Sequence, residues 1–359
     1  MSRLVPKISP LIHKNRRSVR LLSSSKTGPC VSVCNVVQPS PDGGNIGKVL
    51  LYDVAKFELV RTEKTFPDEL HEAQLVGASR GWSFFFNRED RSVVISDFLN
   101  PYASKTEPKM FPLPTFTTMP TCQIEVVCNV AMSSSPEPYD KDWGVGVKFL
   151  GNQLSFCRPH CDLRWTNIRT PFESWDRSNL IYSKKDERFY LLAPGGKYLC
   201  SWDLNFKKDN KPKFLELVLH NIPNLPSSLW KRLDSLCRED HWVESPSGES
   251  FLVKWYKFAH VLRIHTSRVM VFREEDTICG KRNMRYTEDI GDLCIFISKG
   301  EDICVEARSN KLKPNSILLN GRLFATINNT NNTFGCYEYP EGTPDKIPYS
   351  PYWFPPFSS

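Results

Sequence analysis

Three short stretches of this 359-residue chain hold side chains of the type and spacing that could do chemistry. The run GASRG, from Gly77 to Gly81, has the G-x-S-x-G spacing of a nucleophile elbow, in which a strand delivers a serine to a strained turn and a helix leads away. Here the following residues, WSFFFNRED, read as another strand, so the expected structure is a turn using Gly77 and Gly81. A hydrolase with Ser79 as nucleophile is kept only as the second alternative. The run CRPHC brings together Cys157, His160 and Cys161, which could supply three zinc ligands. A structural zinc site would normally add a second close pair, yet His220, His241, His260 and His265 are scattered, so strand-end packing is expected instead. The run ICGKRNM has Gly280-Lys281, without an upstream glycine at phosphate-loop spacing and without Ser or Thr after the lysine. On these grounds no catalytic, cofactor-binding or metal-binding residue is assigned, and no cofactor is expected.

The elements around these stretches are strand-like. From Gly47 onward, apolar runs about 5 to 9 residues long, such as KVLLYDV, SVVISDFL, IEVVCNVAM and RVMVFR, alternate with Gly, Pro, Asn and Asp. Turn chemistry at Gly151-Asn152, Asp186-Glu187 and Gly195-Gly196 suits hairpins. Only SSLWKRLDSLCRE reads as helix, with Leu229, Leu233, Leu236 and Cys237 on one face. Twelve or more short strands exceed a single sandwich and suit a β-propeller, whose radial blades leave little exposed edge. Trp82, Trp143, Trp165, Trp202, Trp242 and Trp255 lie in or beside strand runs and are expected to fill wedges between blades. The aromatic, Pro-rich end, with Tyr349, Tyr352, Trp353, Phe354 and Phe357, is expected to close the last blade onto the first.

Charge separates the chain into two parts. The net charge is +7, and the first acid is Asp42; residues 1 to 41 hold Arg3, Lys7, Lys14, Arg16, Arg17, Arg20 and Lys26. The remaining 318 residues therefore carry 40 basic against 40 acidic side chains, which gives no basic body for nucleic acid. The clusters Lys207, Lys208, Lys211, Lys213 and Lys281, Arg282, Arg285 have acids close by (Asp203, Asp209, Glu274, Glu275, Glu288) and are expected in solvated loops. No apolar segment is long enough for a spanning helix, so no membrane span is expected. The twelve cysteines lie mostly alone in apolar runs, as free thiols do in a reducing compartment.

A basic, serine-rich, acid-free start is the composition of an organellar transit peptide. Arg3, Lys7, Lys14, Arg16, Arg17 and Arg20 are the targeting cations, and Leu22 and Ser23 mark the processing junction. The expected division is a presequence and linker over 1–41 and a propeller domain over 42–359. The expected address is the mitochondrion, with the plastid as alternative, or cytosol and nucleus if the segment is not a presequence.

The segments GASRGWSFFF, DFLNPYASKTEPKMFPLP, LSFCRPHCDLRWTNI, NLIYSKKDERFYLLAPGGKYLCSWDL, SGESFLVKWY, RVMVFRE, DIGDLCIFIS and FGCYEYPEGT resemble, in order, the plant KIB-type β-propeller family. The resemblance runs from about Gly77 to the C-terminus. It implies an all-β, kelch-like propeller with a short helical insertion and, in members with an F-box, recruitment of targets for ubiquitination. Residues 1 to 70 show no F-box-like pair of apolar helices, so the chain resembles an organellar subgroup lacking the F-box. The expected function is thus a non-enzymatic mitochondrial protein-interaction module, monomeric, with unknown protein partners. The alternative is an F-box-family-like substrate adaptor of the ubiquitin system.

Overall fold

The alternation of apolar runs with turn residues is realised as strands throughout. The computed structural model describes residues 26–41, 43–120, 122–136, 143–174, 178–203, 213–234, 236–257, 268–275, 282–319, 324–328, 333–337, 341, 343 and 351–358. Among them the strands form five hydrogen-bonded sheets, and the eight-stranded one consists of two four-stranded meanders joined where the outer strands of the two pair in parallel, so that the chain runs through six successive units. The first holds β1 (Cys30–Pro39), β2 (Asn45–Asp53) and β3 (Glu58–Thr65), and the second β4 (Ala73–Ser79), β5 (Trp82–Asn87), β6 (Val93–Ser96) and β7 (Met110–Leu113). The third holds β8 (Gln123–Met132), β9 (Val145–Cys157) and β10 (Thr166–Ser174), with β9 in the middle. The fourth is β11 (Leu180–Ser183), β12 (Arg188–Leu192), β13 (Tyr198–Asp203) and β14 (Lys213–His220). The fifth is β15 (Cys237–Glu244), β16 (Ser250–Lys257), β17 (Arg268–Glu275) and β18 (Arg282–Thr287). The last is β19 (Leu293–Ile297), β20 (Ile303–Glu306), β21 (Ser316–Leu319), β22 (Phe324–Asn328) and β23 (Thr333–Tyr337), ordered β20-β19-β21-β22-β23. A final short strand, β24 (Trp353–Phe354), returns to the first unit and pairs with β1.

Strand β9 doubles back on itself. A Cβ on Gly146 would lie 2.9 Å from Cε1 of Phe156, whereas ten residues of straight strand span roughly 33 Å. The fold lies at Gly151, with φ of 109°, the expected hairpin at Gly151-Asn152. The third unit therefore has four strand arms like its neighbours. The Gly195-Gly196 turn, with φ of 94° and 61°, joins β12 to β13, and Glu187, with φ of 53°, ends the turn from β11 to β12.

Edge strands β24, β4, β8, β11, β15 and β20 lie side by side in that order, which places the units radially. Apolar clusters fill each wedge between neighbouring units. Phe85 and Phe98 pack with Leu51 between the first two, and Trp143, Phe149 and Trp165 with Phe84 between the second and third. Phe156 and Trp202 pack with Phe189 between the third and fourth, and Trp242 packs with Leu252 and Tyr190 between the fourth and fifth. Val253 and Trp255 meet Ile295 between the fifth and last, and Phe296 meets Val31 and Trp353 where the last meets the first. The six wedges close a ring: the fold is a β-propeller. The expected wedge tryptophans sit in these clusters or, for Trp82, against one.

Closure uses both chain ends. Ser32 N donates to Tyr352 O at 2.9 Å and Tyr352 N donates to Ser32 Oγ at 2.8 Å. Thr27 N donates to Phe357 O at 2.9 Å, and Phe357 N to Thr27 Oγ1 at 2.9 Å. Tyr352, Trp353, Phe354 and Phe357 are buried, so the aromatic end does close the ring; Tyr349 lies outside the described residues.

Two sequence expectations need correction. The propeller begins well before residue 42: Cys30, Val31 and Val33 of β1 are fully buried, because β1 is an interior strand of its sheet and the partner of β24. The α-helix α1 spans Ser227–Asp234 and packs Leu233 and Trp230 into the wedge between the fourth and fifth units. Cys237, expected on its apolar face, instead opens β15 and pairs with Lys257. Among the described residues, no helix is long and apolar enough to cross a membrane.

Candidate functional site

The GASRG run folds as a hairpin. Ser79 ends β4 and pairs with Trp82 across a two-residue turn in which Arg80 and Gly81 have φ of 50° and 86°. Both positions are left-handed, the geometry of the tight hairpin turns that match strand twist. The residue after the serine leads into β5, so the strand-serine-helix context of an elbow is not formed. Gly77 is the close-approach residue of the pair, since a Cβ there would meet Val130 Cγ2 at 2.3 Å.

Ser79 is nevertheless part of a polar network that links several units among the described residues. Its buried hydroxyl donates to Glu301 Oε2 at 2.7 Å and accepts from Met132 N at 3.0 Å. Arg80 N donates to the same Glu301 oxygen at 2.8 Å, and Arg80 Nε donates to Met132 O at 2.7 Å. Glu301 stands on the 298–302 connection between β19 and β20 of the last unit, so these bonds join the second, third and last units.

The same connection reaches the fourth and fifth units. Asn129 of β8 donates from Nδ2 to Gly300 O at 3.2 Å and accepts from Leu180 N at 2.7 Å. Asn179 Nδ2 lies 3.0 Å from Ser298 O, 2.9 Å from Gly300 O and 3.2 Å from Asp302 Oδ2. His241 of β15 donates from Nδ1 to Asp302 Oδ2 at 2.8 Å. Its Nε2 lies 3.7 Å from Glu239 Oε2, an ion-pair contact too long for a hydrogen bond, and Lys257 pairs with the other Glu239 oxygen. Burial pushes the His241 pKa down, but the Asp302 carboxylate and the Glu239 carboxylate outweigh it and raise the pKa to about 10. Burial pushes Glu239 up, and the His241 and Lys257 cations outweigh it, lowering the pKa to about 2. His241 is thus a permanent buried imidazolium at neutral pH, unsuited to take a proton from a serine.

Buried cations tie other places. Lys148 of β9 donates to Ser178 O, and Lys254 of β16 lies 3.2 Å from Asp240 Oδ1 and 3.4 Å from Gly195 O. Lys64 of β3 donates to Asn100 O, and burial lowers its pKa to about 8. Arg282, expected in a solvated loop, is instead half-buried: its guanidinium pairs with Asp186 and with Glu274 at 3.3 Å and stacks over Tyr190 at 5.1 Å. A solvated loop is ruled out for it because β14 and β18 pair in parallel, turning β18 into an interior strand. Arg285 pairs with Glu275 at 3.1 Å.

The CRPHC residues do not converge. Cys157 is fully buried among Trp143, Phe149 and Trp165, and burial pushes its thiol up to about 12, the opposite of what a thiolate ligand needs. His160 stacks edge-on against Trp143 at 6.0 Å, and Cys161 is exposed on the turn beyond. No group of three or more His, Cys, Asp or Glu side chains fit for a metal occurs among the described residues. The described cysteines, Cys30 among them, are free thiols. Arg3, Lys7, Lys14, Arg16, Arg17, Arg20, Leu22 and Ser23 lie outside the described residues, as do Lys207, Lys208, Lys211, Gly280 and Lys281.

No curated protein matches this chain. Among solved structures it is similar to apo AztD from Citrobacter koseri, at 9% identity and TM-score 0.32, covering 93% of this chain and 100% of that one. It is similar to the N-terminal domain of Nup159, at 10% identity and TM-score 0.32, covering 72% of this chain but only 63% of that one. Hsv2p from Kluyveromyces lactis gives 6% identity and TM-score 0.32, covering 71% and 73%. No function is carried from likenesses this weak. The model of the KIB1-4 beta-propeller family matches residues 51–338, from within β2 to just past β23. With most of its length inside that match and a closed ring of strand units, the chain belongs to the KIB1-4 beta-propeller family.

Proposed function

We propose that the protein is a mitochondrial β-propeller that works as a protein-interaction module and not as a catalyst. The observation that carries the second half is the use made of its polar groups: Ser79, Glu301, Asn179, Asp302 and His241 hold units together. A serine that both donates to the Glu301 carboxylate and accepts from the Met132 backbone N–H is a structural tie, and the buried histidine of the network is engaged with Asp302 instead. The mitochondrial half is supported by the acid-free stretch before Asp42, with its targeting cations Arg3, Lys7, Lys14, Arg16, Arg17 and Arg20.

The test is fluorescent tagging of the full chain and of a chain starting at Lys26, which keeps β1. Mitochondrial signal from the first and its loss from the second are expected. Purely nucleocytoplasmic signal from the full chain overturns the address and leaves the ubiquitin-adaptor reading in its place. Affinity purification of the full chain, read by mass spectrometry, tests the interaction half; recovery of no protein above background overturns it.

A further inference from the structure

The turn between β9 and β10 holds an apolar side chain in full view. Leu163 is 98% exposed, more than any other large hydrophobic residue described; Phe57 follows at 56% and Ile222 at 52%. Single exposed leucines are common on protein surfaces and need no function. This one differs in that the chain is anchored just before it, at Arg158–Asp162, and just after it, at Trp165. Asp162 accepts from Arg158 N at 2.8 Å, from Nε at 3.3 Å and from Nη2 at 3.0 Å. Cys161 N and Asp162 N both donate to Arg158 O at 2.9 Å. On either side the turn is rooted in the core, by buried Cys157 before it and by Trp165 after it, whose Nε1 donates to Pro114 O. His160 is held against Trp143 within the turn.

The geometry points to this turn as a docking knob, with Leu163 inserted in an apolar pocket of a partner protein whose rim carries carboxylates. A leucine on a preorganised turn loses little backbone entropy when it enters a pocket, so its buried area converts to affinity efficiently. The charge of the rim follows from the neighbours. Arg158 and Asp162 neutralise one another at 3.0 Å, which leaves the exposed Arg164 directly beside Leu163, with exposed Arg169 farther along β10. An acidic rim complements those cations and steers encounter. The inference rests on the interaction-module reading and adds the place and chemistry of the contact.

The test places a photoreactive benzoylphenylalanine at position 163 of the full chain, and at position 57 as a control, in cells. Ultraviolet adducts from 163 and none from 57 are expected, attached to a partner peptide with apolar residues flanked by Asp or Glu. Adding Arg164→Glu, which sets a carboxylate against the acidic rim, should lower the yield severalfold. Absence of an adduct from 163, a yield unchanged by Arg164→Glu, or attachment to a peptide without acids overturns the proposal. Leu163→Asp separates the two readings, because so exposed a side chain can change without altering the melting temperature. Partners still recovered by that variant in full amount leave the interaction module standing and remove the knob; recovery of nothing by the unaltered chain removes both.

Discussion

Asp302 and His241, 61 residues apart, form a buried ion pair of 2.8 Å that joins the last unit of the propeller to the fifth. Asn179 meets the same carboxylate oxygen from the fourth unit. Removing one partner of such a pair strands a buried charge, so Asp302→Ala should destabilise the protein by about 3–5 kcal/mol in denaturant titration. Asp302→Asn, which keeps the shape and an acceptor, should lose less.

The same pair gives a pH dependence. The His241 pKa is raised from 6.5 to about 10, so its contribution is fully present below pH 6.5 and is lost as pH rises through about 10. Melting temperature should therefore fall across that window. Glu239 is lowered from 4.5 to about 2, so its contribution is present above pH 4.5 and lost as pH falls through about 2. His241→Gln should flatten the alkaline arm; an unchanged arm would show that the imidazole is not the titrating group.

Ser79→Ala should act on stability and not on chemistry. The variant leaves Met132 N without its acceptor and Glu301 without one donor, a loss of about 1–3 kcal/mol for a buried group left unpartnered. Labelling of the full chain by a serine-reactive fluorophosphonate should be at background before and after the change. Labelling that disappears with Ser79→Ala would restore the hydrolase reading.

Much of this architecture was legible because it is written in local pattern. Alternating apolar runs mark strands, Gly195-Gly196 and Gly151-Asn152 mark turns, and the tryptophans mark wedges. The polar ties were not legible. Asn129, Asn179, His241 and Asp302 are single residues spread over 174 positions, and only ring closure brings them together. Strand β1 was missed for a different reason. Its run CVSVCNVV has the apolar content of a strand, but it lies within the acid-free stretch whose charge suggests a leader. Composition averaged over a long window hid a short-range signal.

Trp353 tests closure directly. It is buried, packs edge-on against Phe296 with ring centroids 4.8 Å apart, and donates from Nε1 to Ile297 O at 3.2 Å. It therefore connects β24, and through it β1, to the last unit. Trp353→Ala should cost about 3–5 kcal/mol, as large-to-small changes in cores do. Trp353→Phe, which keeps most of the ring packing and loses the hydrogen bond, should cost less than half of that.

The two chain starts separate leader from body. A chain beginning at Lys26 keeps β1 and the Thr27–Phe357 bonds, and should melt cooperatively at the temperature of the full chain. A chain beginning at Asp42 loses a strand that pairs with β2 along its length and receives β24 at its other edge. It also opens the wedge in which Val31 and Val33 meet Phe296 and Trp353. Loss of those two side chains, at roughly 1.5–3 kcal/mol each, together with the β1–β2 ladder, is comparable with the about 5–15 kcal/mol that holds a whole domain folded. The shorter chain should therefore lack a cooperative transition and should bind a dye that reports exposed apolar surface. A cooperative melt from the Asp42 start would show that the ring closes without β1, and that residues 26–41 are an accessory strand.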